Sequence, residues 1–379
     1  MHRRRELRPK TDPLTVRHNL TIAPVIFSGH NDRAVVALCR FFSAQERSFF
    51  IIASNEADAI WQTEWRRHVL MLRSDSTLSV PLMAQVASAV LEEGYEPALC
   101  PSSEFLNRFV LAHQLVMQSQ GWHWVLPSAQ VYAALSDKSS SPSIIQALSG
   151  LSLPAIQPYG AWRAPCVLKP CANIGQGVVL YPKLCPGSVE LESARQEIDA
   201  AQWFSQDWVE GQSLYLCAYL DRWGHWDGFW QENLLQQPGG KSIVLARTCA
   251  NPGLDTSALM QGLHGMGYHG AFMMEVIRDQ AQRLHFIEVN PRFWGPLDLA
   301  RRACPSLLQR FLSDMDGRPM PTHSEEASSE QYYAWAFGAK QGDCRVYPAA
   351  EPLQAHWQQL LQAHDVYGQA DTRALFNQH

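Results

Sequence analysis

Apolar and polar positions change rhythm along the chain, and the change divides it. APVIFSGHNDRAVVALCRFF (23–42) opens with a short apolar run, passes a polar turn and continues with apolar residues at helical spacing. This pattern predicts a strand, a turn and an amphipathic helix. RSFFIIAS (47–54) and HVLMLRS (68–74) predict two further buried strands, 81–93 a helix, and YEPALCPSSEFL (95–106) a strand entering a polar turn. Strands alternating with helices imply a doubly wound parallel sheet. Ligands of such sheets collect at the carboxyl edge of the strands. Ser102, Ser103 and Glu104 are candidates there, with Ser103 equally a helix cap. The turn SGHND has the single Gly29 in place of GxGxxG, which argues against a dinucleotide in this part.

After SDKSSSPSIIQALSG (136–150), read as leading into a helix, APCVLKPCANIGQGVVLYPK (164–183) predicts strand, glycine-bearing loop and strand. The stretch 213–248 alternates as antiparallel strands with a turn at 222–224 and a loop in QQPGGKS. A helix over 257–265 precedes two apolar runs, AFMMEVIRD (271–279) and LHFIEVNPRFWG (284–295), joined by a polar turn; together they predict a hairpin. LDLARRACPSLLQRFLSDMDG (297–317) predicts a helix pair and MPTHSEEASSEQ (320–331) a polar linker. The remainder contains a short strand and an amphipathic helix near 353–363.

The hairpin carries the chemistry. Residues i and i+2 of a strand share a face, so Glu288 and Asn290 point the same way. The antiparallel register sets Glu275 nearly opposite Glu288. Two carboxylates in an apolar sheet must be protonated, paired with a cation or bridged by a metal. With the amide they form a hard ligand set suited to Mg2+ or Mn2+, which keeps waters and completes its shell with phosphate oxygens. Arg292 can grip a phosphate or carboxylate in a two-point fork.

A strand ending in Glu followed by IEVNPRFWG resembles the metal-binding end of the ATP-grasp superfamily. NPRFWGPLDLA is most similar to its carbamoyl-phosphate-synthase-like carboxylate-amine ligases. The resemblance extends over about residues 24–316. It implies an α/β (α+β) chain: a Rossmann-like pre-ATP-grasp domain over 1–134, an ATP-grasp domain over 135–320 with a mobile lid at about 137–205, and a linker with a small C-terminal segment over 321–379. By position it assigns Lys138 and Lys169 to ATP phosphates, and Gly175 and Gly177 to a loop whose amides approach them. This loop has fewer glycines than is usual in the family. Gln206, Asp207, Trp208 and Val209 fall where backbone groups meet adenine. The acid that often holds the ribose is missing from GQSLYL, leaving Asp207 or Glu210 as substitutes. Lys241 and Ser242 fall beside the acceptor site, Arg247 is a candidate for the carboxylate to be activated, and His30, Asn31 and Arg33 face substrate in the N-terminal turn, where Asn31 or Asp32 could instead cap the helix.

The implied cofactors are ATP and Mg2+ or Mn2+, and the implied reaction joins a small carboxylate, such as an amino acid, to an amine through an acyl phosphate. A nucleotide-binding regulatory protein without turnover is the alternative. The intact Glu275, Glu288, Asn290, Arg292 and Lys169 favour the ligase.

Composition narrows the class without naming substrates. At 379 residues the chain exceeds one compact core, so two or three domains are expected. A net charge of -5, with no basic run beyond HRRR at the start, argues against a nucleic-acid surface. No stretch is apolar enough to cross a bilayer, and HRRR is followed by no apolar core of a signal peptide. Nine cysteines without CxxC fit cytosolic usage as small buried residues. A cytoplasmic protein is expected, and a homodimer is compatible with the sequence. His264 and His269 lack a third partner at metal-ligand spacing and are assigned no role. The tryptophans between 203 and 230 read as core packing.

Overall fold

Four short runs rich in Val, Ile, Leu and Phe form the first sheet. In the computed structural model, which describes residues 20–73, 77–158, 160–171, 174–175, 178–321 and 329–376, these are β1 (Thr21–Phe27), β2 (Phe50–Ala53), β3 (Val69–Leu72) and β4 (Tyr95–Leu99). They lie in the order β3-β2-β1-β4, all parallel. The helices between and after them are α1 (Asp32–Ala44), α2 (Val80–Glu92), α3 (Glu104–Ala112), α4 (Gln114–Ser119) and α5 (Ala129–Ser136). Ser79 and Ser103 cap α2 and α3 by accepting from the amides of Leu82 and Leu106. Gly29 turns the chain out of β1 at φ +87, where a Cβ would lie 2.2 Å from that of Ser54. Only glycine fits there. The parallel order places the turns after β1 and β4 at one edge, as the alternation predicts.

A turn at Asp137–Ser140 precedes α6 (Ser141–Ser149). The Asp137 carboxylate accepts from the amides of Ser139 and Ser140, so Lys138 sits in this turn and not in the helix, whose start Pro142 sets. Next come β5 (Ile156–Gln157), β6 (Cys166–Pro170), β7 (Ile174–Gly175), β8 (Val178–Val179), β9 (Lys183–Cys185), α7 (Ser188–Glu197) and β10 (Trp203–Asp207). β5, β10, β6 and β9 make a small antiparallel sheet, and β7 and β8 a two-stranded hairpin.

The large sheet holds β11 (Gln212–Leu220), β12 (Trp226–Gln236), β13 (Ile243–Cys249), β14 (Gly270–Arg278) and β15 (Leu284–Asn290), in the antiparallel order β15-β14-β11-β12-β13. Alternation gives it two faces. Leu214, Leu216, Ala218 and Leu220 of β11 pack with Leu259, Met260 and Leu263 of α8 (Thr256–Gly265). Tyr215, Cys217 and Tyr219 share the other core with Phe293, Leu307 and Phe311, from the region of α9 (Leu297–Ala303) and α10 (Pro305–Met315), and with Val35, Leu38 and Phe42 of α1. One core thus joins the parallel sheet's helix to the large sheet and sets the first sheet's carboxyl edge beside the acids of β14 and β15.

Two strands from beyond the predicted polar linker extend the large sheet. β16 (Tyr332–Ala334) pairs with β13, and β17 (Arg345–Val346) with β12. A 3-10 segment over Pro348–His356 then leads into a helix over Trp357–Ala363. Most of the predicted linker, 322–328, lies outside the described residues. Among the described residues no helix is long and apolar enough to cross a membrane.

Arg310 of α10 is fully buried and pairs with Asp221 at 2.9 Å and Asp227 at 2.5 Å, at the two ends of the β11–β12 turn. It also donates to the carbonyls of Met320 and Pro321. Replacing it by Met keeps the bulk and removes the buried cation that both buried carboxylates face, so Arg310→Met should cost about 3 to 5 kcal/mol in denaturant unfolding. A loss under about 1 kcal/mol would show that the carboxylates find other partners.

Candidate active site

The hairpin register is the one the sequence implies: Glu275 and Glu288 are cross-strand partners on β14 and β15. Immediately after this pair the register slips, leaving Ile287 as an extra residue on β15. The Ile287 carbonyl accepts from Lys169 Nζ at 2.8 Å. The irregularity thus docks β6 of the small sheet on the strand that carries the acids.

Each carboxylate is held differently. Glu275 is buried and its Oε1 accepts from Ser213 Oγ at 2.7 Å; Ser213 in turn accepts from Asn233, whose Oδ1 accepts from Gln231. Glu288 accepts from Asn290 Nδ2 at 2.8 Å and pairs with Lys138 Nζ at 3.3 Å. Burial, with the negative Glu288 opposite, pushes the Glu275 carboxyl up. Burial would raise Glu288 too, but Lys138, Lys169 and Asn290 more than offset it and hold that carboxyl low. Burial, reinforced by Lys138, brings Lys169 down to about 8 against the pull of Glu288 and Glu275. The result is an ionised Glu288 beside two cations, with its neighbour inclined to keep a proton.

A divalent cation fits this arrangement. Glu275, Glu288 and the Asn290 amide oxygen are hard donors on one face, and both the burial and the neighbouring negative charge that raise Glu275 are what a bound cation would offset.

These groups line one cleft of about 440 Å3, within the range of small-molecule sites. Val167, Leu180, Met273, Ile277 and Ile287 form apolar wall, and Gln206, Asp207, Trp208 and Val209 form one end. The Asp207 amide donates to Ala155 O and its carboxylate accepts from Gln157, both at 2.8 Å. Glu210 is exposed and does not line the cleft. Asp207 thus lines the cleft with one carboxylate oxygen engaged by Gln157, and Glu210 lies outside it. Gly175 lies in the small hairpin, paired with Val178; Gly177 lies outside the described residues.

The opposite end comes from the first sheet and the loop after β15. Arg292 lines the cleft and donates to the carbonyl of its neighbour Phe293 at 2.9 Å. His30, Ser102, Ser103, Glu104, Lys241 and Ser242 also line it. Asn31 does not cap α1 through its side chain, which donates instead to the carbonyls of Ser102 and Phe293. Arg33 donates to Ser242 Oγ at 2.8 Å and Ile243 O at 3.2 Å and lies 4.1 Å from the Trp335 ring, so it ties the two sheets together. Glu104 is held by Arg108 at 2.7 Å.

Arg247 departs from expectation. It is paired in register with Glu232, which faces Leu214 and so lies on the side of the sheet opposite Glu275. Its guanidinium meets Glu232 at 2.8 Å and Glu330 at 3.0 Å. It does not line the cleft. Sequence reading also missed Tyr215, Gln236, Arg345 and Tyr347, which do. Alternation along β11 could have found Tyr215, two residues after Ser213; Arg345 and Tyr347 reach the cleft only because β17 joins β12.

No family model matches the sequence, and a search of curated proteins finds no match. Solved structures do match. The biotin carboxylase domain of 2-oxoglutarate carboxylase from Hydrogenobacter thermophilus, a complex with MgADP, ADP and bicarbonate, superposes with a TM-score of 0.63 at 14% identity, covering 84% of this chain and 75% of that one. Biotin carboxylase from Campylobacter jejuni gives 0.63 at 15% identity, with 83% and 76% covered. N5-carboxyaminoimidazole ribonucleotide synthetase in complex with ADP gives 0.62 at 12% identity, with 84% and 82% covered. A parallel sheet, a small antiparallel sheet and a large antiparallel sheet, arranged as in these enzymes, give this chain the ATP-grasp fold of the biotin carboxylase type.

Proposed function

We propose that the chain is an ATP-dependent ligase that activates a small carboxylate as an acyl phosphate and passes it to an amine, releasing ADP and phosphate. The observation that carries this is the convergence of Glu275, Glu288 and Asn290 with Lys138 and Lys169 in one cleft. Two solved relatives of the fold are complexes with ADP, one of them with magnesium.

In this reading the base lies against Gln206–Val209 and the apolar wall. Lys138 and Lys169 meet the phosphates. Glu275, Glu288 and the Asn290 oxygen hold Mg2+ or Mn2+, which supplies neutralisation of phosphate charge. Arg292, at the cleft end fed by the first sheet, grips the carboxylate in a two-point contact that aligns it with the γ phosphorus. Little covalent chemistry is asked of the protein. Positioning and charge stabilisation supply the acceleration. Arg247 has no part in it, its charge being met by Glu232 and Glu330.

The test follows an oxygen atom. A carboxylate oxygen forms the new bond to the γ phosphorus as the bond to ADP breaks; when the amine attacks the acyl carbon, that oxygen leaves with phosphate. With both carboxylate oxygens labelled by oxygen-18, each amide formed should be matched by one label in inorganic phosphate, read by mass spectrometry. The substrate pair comes from a screen of ADP formation over amino acids, dipeptides and other small acids, offered singly and in pairs. Unlabelled phosphate from a reaction that yields amide refutes the acyl phosphate. ADP binding with no substrate-dependent ADP formation across the screen would favour a nucleotide-responsive binding protein.

A further inference from the structure

The cleft wall between Gln206–Val209, here called the hinge, and the acids Glu275 and Glu288 contains a cation that comes from the C-terminal segment. Arg345 lies on β17, whose backbone pairs it with Gln236 of β12. Its guanidinium carbon is 5.0 Å from the Trp208 ring centroid and 4.7 Å from that of Tyr347. Such positions over aromatic faces are attractive and hold the side chain in place. Tyr347 is itself fixed, its hydroxyl donating to Gln236 Oε1 at 2.6 Å. The Gln236 amide donates to Lys241 O at 3.0 Å.

Among the described residues no hydrogen bond or ion pair engages the Arg345 guanidinium. Five N-H donors are therefore presented by a half-buried group whose position is set by two rings. Of the neighbouring polar groups, Asp207 Oδ1 accepts from Gln157, and Tyr347 and Gln236 bond each other. Lys138 and Lys169 belong to the other side, with Glu288 and Ile287. Arg345 instead adjoins Trp208, at the base end, while still reaching the field of Glu275. In the nucleotide reading above, a nucleotide laid from the hinge to the acids would pass its sugar beside this side chain.

Resting on the nucleotide reading above, we infer that Arg345 is a nucleotide-positioning residue that donates hydrogen bonds to the ribose hydroxyls. A cation from the C-terminal segment takes the place of a carboxylate from the hinge. An arginine suits hydroxyl oxygens as acceptors, whereas a carboxylate would take their protons as donors. The C-terminal segment, which joins the large sheet through β16 and β17, thereby becomes part of the nucleotide site.

The experiment compares ADP with 2′-deoxy-ADP and 3′-deoxy-ADP by calorimetry in Mg2+, using the full chain and the variants Arg345→Ala and Arg345→Lys. The unaltered protein should prefer ADP over at least one deoxy form by about tenfold, the weight of one charge-assisted hydrogen bond. In Arg345→Ala the ADP affinity should fall about tenfold and the preference should collapse toward unity. Arg345→Lys, which keeps the charge and the fold but not the fork, should recover part of the affinity and little of the preference. Loss of ADP affinity with the sugar preference retained would place Arg345 on a phosphate and overturn the assignment. Unchanged ADP affinity in both variants would overturn it as well. Failure of the unaltered protein to bind ADP would instead refute the nucleotide reading on which it rests.

Discussion

Glu288→Gln should abolish turnover with Mg-ATP, by at least about a hundred- to thousandfold, the usual scale for removing one charge that stabilises a reacting centre. Glutamine keeps the shape and can still accept from Asn290 Nδ2, which donates to Glu288 at 2.8 Å. It removes the charge that pairs with Lys138 and that would bind the cation. Folding should be nearly unaffected, because the Glu288 side chain is 24% exposed and glutamine keeps its size and its bond from Asn290. Substrate-dependent ADP formation reads the first effect and thermal unfolding the second. A binding readout independent of chemistry is the affinity of Mn2+ in the presence of ADP, followed by electron paramagnetic resonance. Normal turnover would remove Glu288 from the metal set; lost turnover with unchanged Mn2+ affinity would move its role from metal to lysine.

Lys169→Ala should weaken ADP binding about ten- to hundredfold, the loss of a buried charge-assisted partner worth roughly 1.5 to 3 kcal/mol. The pH dependence gives the stronger test. Burial brings the free Lys169 ammonium down to about 8. A bound phosphate favours the charged form and so raises that pKa, and binding above pH 8 must then take up a proton. The sign follows: affinity is full below about pH 8 and falls as pH rises through it, by up to about tenfold per unit until the pKa of the bound form is reached. In Lys169→Ala this dependence should be lost. Calorimetry in buffers of different ionisation enthalpy measures the proton uptake directly. An ADP affinity that does not change between pH 7 and 9.5 in the unaltered protein would place the phosphates away from Lys169.

The acids and the amide could be placed from sequence because their geometry is local, whereas the lysines came from the family resemblance and meet Glu288 and Ile287 across more than a hundred residues. Glu275 and Glu288 sit on two apolar runs joined by one polar turn, and a tight hairpin leaves little freedom of register; Asn290 follows from the period of two. The parallel sheet with its carboxyl edge likewise follows from patterns within a few tens of residues. The N-terminal turn was only partly legible: its place at the cleft was, but the side chains of Asn31 and Arg33 bind carbonyls and hydroxyls more than seventy residues away.

Arg247 shows where local reading stops. Its face depends on how β13 registers on β12 across a loop and past two irregularities near Leu235, and a slip of one residue would have turned it into the cleft. Nothing in the loop's composition specifies that register; packing of the whole sheet does. Arg345 shows the converse. CRVYP is a short stretch beyond a polar linker with no periodicity to mark it, and it becomes cleft wall because β17 finds a partner in β12 more than a hundred residues earlier. Residue type and short-range periodicity determined which chemistry the hairpin could carry. The long-range pairings decided which further side chains surround it, because the free energy that selects those pairings is spread over a core drawn from both sheets.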